Sequence, residues 1–109
     1  MKHPGRTISA ETRLAERELC RALASLDNPD EIRAFLRDLC TPAELEALAD
    51  RWRVVHPLLQ GRPYREIHDT TGVSVTTIGR VARFLDRGFG GYKLARQRLA
   101  AAESPTQQS

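Results

Sequence analysis

The chain has 109 residues, 40% hydrophobic and 28% charged, which is enough for one compact core but too little for a second domain of useful size. No apolar run approaches the ~18 residues of a membrane span, and the segment following Met1–Arg6 is rich in Arg and Glu, unlike a secretory leader, so a soluble, cytoplasmic protein is expected. The formal net charge of +3 hides an asymmetry: residues 1–50 carry seven Lys/Arg against ten Asp/Glu, and residues 51–100 carry ten against three. The basic half is the candidate nucleic-acid face.

Residues 1–8 read as a flexible N-terminal arm in which Lys2 and Arg6 could brush phosphates. Ser9 is placed to cap a first helix in which Leu14, Leu19, Cys20, Leu23 and Leu26 recur at three-to-four-residue spacing. Asn28-Pro29-Asp30-Glu31 then supplies an N-cap, a proline at the first helical position and an acid that can reach back to the cap amide. The second helix turns Ile32, Phe35, Leu36 and Leu39 inward. Thr41-Pro42-Ala43-Glu44 repeats the device, and Leu45, Leu48, Ala49, Trp52, Val55 and Leu59 predict one long third helix as far as Gly61. Cys20 and Cys40 lie on apolar faces without a Cys or His at metal-ligand spacing, so they are expected as buried free thiols and no metal site is expected.

Two short helices follow, from Tyr64 to Thr71 and from Val75 to about Asp86, separated by Gly72 and with Ser74 as a fresh cap. Gly88-Phe89-Gly90-Gly91 ends the second, and a last helix from about Tyr92 to Ala102 carries Leu94, Ala95 and Leu99. Residues 104–109 have the composition of a disordered tail. The whole predicts an all-α fold of about six helices, a single helical domain over residues 9–103. Helices this short depend on tertiary packing, and the N-terminal ones are too amphipathic for so small a core. An intertwined homodimer sharing the first three helices satisfies both.

The segment from Tyr64 to Leu85 fits a helix-turn-helix, whose second helix offers its N-terminal residues to base edges in the major groove. The turn needs a residue tolerant of a left-handed backbone, which Gly72 supplies. The crossing needs apolar residues, supplied by Ile67, Val73, Ile78, Val81 and Leu85. The leading face needs small, polar or basic ones, supplied by Ser74, Val75, Thr76, Gly79, Arg80 and Arg83. No acid occurs from Thr70 to Leu85. Arg65, Arg80 and Arg83 are the candidate phosphate or guanine readers, Val75 and Thr76 can meet thymine methyl groups, and Tyr64 completes the set. His68, four residues before the turn glycine where a small side chain is usual, either turns outward to phosphate or stays half-buried without a role in recognition. The bland reading of the segment is a pair of core helices joined by a glycine turn; the exposed polar face and local positive charge weigh against it.

Thr41-Pro42-x-Glu44 followed by Glu46-Ala47-Leu48, Arg51-x-Arg53, Leu58-Leu59-x-Gly61 and Thr77-Ile78-x-Arg80 resemble the Trp repressor family, especially its shorter members, over about half of the chain. The resemblance implies an interlocked homodimer with paired reading heads, a roughly palindromic double-stranded DNA site and repression of transcription. It also implies a candidate ligand pocket at Thr41, Arg51, Thr77, Arg80, Val81 and Phe84, matching positions that bind L-tryptophan in the family. Where tryptophan binders in the family have a glycine and a serine, this chain has Val81 and Phe84. The added carbon should fill the indole space, so tryptophan corepression is expected to be lost and no cofactor is expected.

The alternative function is a protein–protein interaction module, for example antitoxin-like, without specific operator binding; a transposase would need a catalytic domain for which there is no room. No catalytic constellation can be placed: His3, His56 and His68 share no local spacing and Gly88–Gly91 is not a phosphate loop, so the chain is not expected to be an enzyme. Trp52 reads as core or dimer interface, and His56 as a contact to a helix C-terminus.

Overall fold

A computed structural model describes residues 9–103; the N-terminal arm and the C-terminal tail expected from the sequence lie outside them. The described residues form helices and no strand, and the chain divides into two compact units, Met1–Thr41 and Pro42–Ser109.

In the first unit, α1 (Ala10–Ala24) starts where Ser9 Oγ accepts the Thr12 amide at 3.1 Å. The second helix, α2 (Pro29–Leu39), starts at Asn28, whose Oδ1 accepts the Glu31 amide at 3.0 Å. The Glu31 carboxylate reaches back one residue further than expected, accepting the Asp27 amide at 2.8 Å rather than that of the cap itself. Two orphan donors are thereby satisfied around one turn.

Neither α1 nor α2 contains a buried residue, with Leu14 56% and Leu39 52% exposed. This corrects the expectation of buried thiols: Cys20 is exposed and Cys40 half-buried, both free. The apolar stripes are present, but a single chain leaves them uncovered.

The second unit holds α3 (Pro42–Arg53), α4 (Val55–Leu59), α5 (Tyr64–Thr71), α6 (Val75–Arg87) and α7 (Gly91–Glu103). The expected long third helix is thus two, making seven helices among the described residues instead of about six. The break falls where Pro57 dictates: its nitrogen cannot donate to the Arg53 carbonyl, and its ring would clash there if the helix continued. The displaced turn sends both Val54 and Val55 into the core at 0% exposure, and Leu58 N–H closes on Val54 O at 3.1 Å. On an uninterrupted helix these neighbours would point about 100° apart.

Val54, Val55, Ile67, Val73, Ile78 and Val81 make up the buried core, and Trp52, Leu58, Leu85 and Tyr92 pack around it. Trp52 meets Tyr92 with ring centroids 6.4 Å apart and planes tilted by 34°, within the range of favourable aromatic pairs. His56 lies exposed on the five-residue α4 rather than near the end of a long helix.

Candidate nucleic-acid interface

The pair expected between Tyr64 and Leu85 is α5 and α6, with α6 running on to Arg87. Gly72 lies between them in the left-handed region at φ 79°, its N–H donating to His68 O at 2.8 Å. A Cβ there would meet nothing within 4 Å, so glycine is required by backbone conformation and not by space. Ser74 caps α6, its Oγ accepting the Thr77 amide at 3.1 Å and donating to Thr77 Oγ1 at 3.1 Å.

The inner face of α6 places Ile78 and Val81 in the core against Ile67 of α5, with Leu85 half-buried. That burial fixes the rotation of α6 and turns Val75, Thr76, Arg80 and Arg83 to solvent; Val75 is 51% exposed. Ser74 and Arg65 are exposed as well. Arg62 pairs with Glu66 at 2.7 Å, and Arg87 with Asp86 at 3.5 Å, which neutralises the flanks. Among the described residues, no carboxylate pairs with Arg65 or Arg83.

Two of the candidate readers take part in the helix crossing. The Tyr64 ring of α5 lies 3.9 Å from where a Cβ on Gly79 would stand, an ordinary contact distance, and Gly79 is half-buried beside it. Tyr64 itself remains 42% exposed. His68 is exposed, but its Nδ1 is engaged with Val73 O at 2.8 Å.

Of the candidate ligand-pocket residues, Val81 is fully buried in the core, Thr77 is tied to Ser74, Arg51 is half-buried on α3 and Thr41 closes the first unit. Arg80 and Phe84 touch: the guanidinium carbon lies 4.9 Å from the ring centroid, a cation–π stack one helical turn apart. The i,i+4 spacing was the available signal for this contact, which sequence reasoning passed over together with the side-chain bonds around Val73. Among the described residues, no group of three or more His, Cys, Asp or Glu could hold a metal ion, and no helix is long and apolar enough to cross a membrane.

The family model described as Trp repressor protein matches residues 16–100. The chain is 37% identical over 87 residues to the uncharacterized protein YerC of Bacillus subtilis (strain 168), covering 80% of this chain and 84% of that one. It is 35% identical over 65 residues to a Trp operon repressor homolog of Xylella fastidiosa (strain M23), covering 59% and 71%. A crystal structure of a TrpR-like protein from Eubacterium eligens ATCC 27750 superposes with a TM-score of 0.75 at 38% identity, over 80% of this chain and 90% of the other. With the family matched over most of its length and the fold shared, the chain belongs to the Trp repressor family.

Proposed function

We propose that the protein is a sequence-specific repressor of transcription that binds double-stranded DNA as a homodimer, entering the major groove with α6 and needing no tryptophan. The observation that carries this reading is the division of α6 into two faces: Ile78 and Val81 sealed in the core, and Val75, Thr76, Arg80 and Arg83 in solvent, in a stretch without acids from Thr70 to Leu85. Membership of a family of DNA-binding regulators supports it.

The uncovered apolar residues support the dimer. Leu14, Leu19 and Leu39 on α1 and α2, Leu48 on α3, and Leu94 and Leu99 on α7 are all exposed in one chain. Each is about half-exposed, so its burial by a second chain would contribute about 1 kcal/mol, roughly half the value for a fully exposed leucine. A two-fold dimer sharing these helices pairs two reading heads about one helical turn of DNA apart, matching a roughly palindromic site.

Loss of the corepressor is supported by Val81, whose side chain is core, and by Phe84, which occupies one face of the Arg80 guanidinium. A bicyclic ring would have to displace both. The alternative, an interaction module without operator binding, makes a different prediction for a single experiment: titration of a labelled duplex by fluorescence anisotropy at increasing salt, with and without L-tryptophan. The expected result is binding that weakens by about 0.9 powers of salt per phosphate contact and is indifferent to tryptophan. No binding at about 50 mM salt would favour the interaction module. Saturable tightening by tryptophan would overturn the corepressor reading alone.

A further inference from the structure

The residue that joins the two reading helices is held at both of its peptide groups by side chains of α5. Val73 lies outside both helical ladders: α6 takes its first acceptor from Ser74, whose carbonyl receives Ile78 N–H at 3.0 Å. Its N–H and C=O are therefore orphans of the turn. Thr71 Oγ1 accepts the Val73 N–H at 3.1 Å while donating its own proton to Ile67 O at 2.6 Å. His68 Nδ1–H donates to the Val73 carbonyl oxygen at 2.8 Å. A carbonyl oxygen can only accept, so the imidazole proton sits on Nδ1. The valine side chain, 3% exposed, is the third anchor, set in the core.

Three fixed points on one residue define an orientation. Ser74 follows immediately, and Val75 and Thr76, the first exposed side chains of α6, lie two and three residues from Val73. We propose that His68 is a positioning residue for DNA reading: its Nδ1–H, bonded to Val73 O, sets the angle at which α6 leaves the turn, and the ring does not act as a phosphate contact. This rests on the proposed DNA-reading function. On this proposal the ring is neither an outward reader nor an idle side chain.

Two substitutions separate the roles of the ring nitrogens. In His68→Asn the side-chain amide nitrogen stands nearly where Nδ1 stood and can still donate to Val73 O, whereas Nε2 is gone; in His68→Ala both are gone. Duplex affinity is expected to be near wild type in the Asn variant and about tenfold weaker in the Ala variant, summed over two heads, with the salt slope unchanged in both. Equal losses in both variants, with the slope reduced by about 2 per dimer, would assign Nε2 to phosphate and overturn the proposal. Wild-type affinity in the Ala variant would also overturn it.

A readout without DNA keeps this apart from the parent reading. In the free protein, nitrogen NMR should find the His68 proton on Nδ1, and amide exchange at Val73, Thr77 and Ile78, whose N–H groups are hydrogen-bonded at the turn, should quicken in His68→Ala but not in His68→Asn. A bare Nδ1 with the proton on Nε2, or exchange identical in all three proteins, would remove the clamp whatever the protein binds. The expected exchange pattern in a wild-type protein that fails to bind duplex would instead sink the DNA reading and leave the clamp standing.

Discussion

Replacing Arg65 and Arg83 together by alanine is expected to weaken duplex binding roughly a thousandfold at about 0.1 M salt, and to flatten the log–log salt dependence by about 3 to 4. Both side chains are exposed, both lack an acidic partner among the described residues, and neither packs in the core. Their charge is therefore available to phosphate oxygens, and a dimer loses four contacts at once. Each lost contact removes about 1 kcal/mol and leaves one counterion condensed on the duplex. Folding should be indifferent, because exposed arginines without partners contribute within about 0.5 kcal/mol to stability. Anisotropy titrations over a salt series, with urea denaturation as the control, measure both. Arg62 offers a contrast, since its pairing with Glu66 at 2.7 Å already spends its charge locally.

The second large effect is on folding. Ile78 is fully buried in a core of six residues, where it joins α6 to α5 through Ile67 and to the α3–α4 break through Val54 and Val55. Ile78→Ala should destabilise the second unit by about 2–5 kcal/mol, through lost transfer energy and the cavity left behind. Against a typical stability of about 5–15 kcal/mol this is a large fraction, so the urea midpoint should fall steeply, and duplex binding with it. Val75→Ala makes the complementary case: at 51% exposure it should leave the midpoint nearly unchanged while weakening duplex binding. A core residue and a proposed reading residue three positions apart on one helix are distinguished by which measurement moves.

Much of this was legible because caps and turns are written in local chemistry. Ser9, Asn28-Pro29, Gly72 and Ser74 begin or end helices where their side chains or backbone freedom require, and the alternation of Ile78 and Val81 with Thr76, Arg80 and Arg83 fixes which face of α6 is core. The break at Val54 was not read, because the apolar stripe from Leu45 to Leu59 continues through it at helical spacing. Pro57 was the overlooked signal, since a proline acts on the carbonyl four residues before it. The cysteines went astray for another reason: a stripe states that a face seeks cover, not that its own chain supplies it. Gly79 stands beside the Tyr64 ring and half-exposed on α6, and small residues suit both a groove and a helix crossing, so residue type alone does not separate the two roles. The bond from His68 to Val73 O depends on a rotamer and a left-handed turn acting together, which no spacing rule encodes.

Selection of bound sequences from a random duplex pool by the full-length protein, without tryptophan, tests the central claim most directly. A dimer that reads DNA with two α6 helices should select a two-fold symmetric consensus with half-sites about 10 base pairs apart, one for each α6. A pool that stays unenriched at low salt would contradict it.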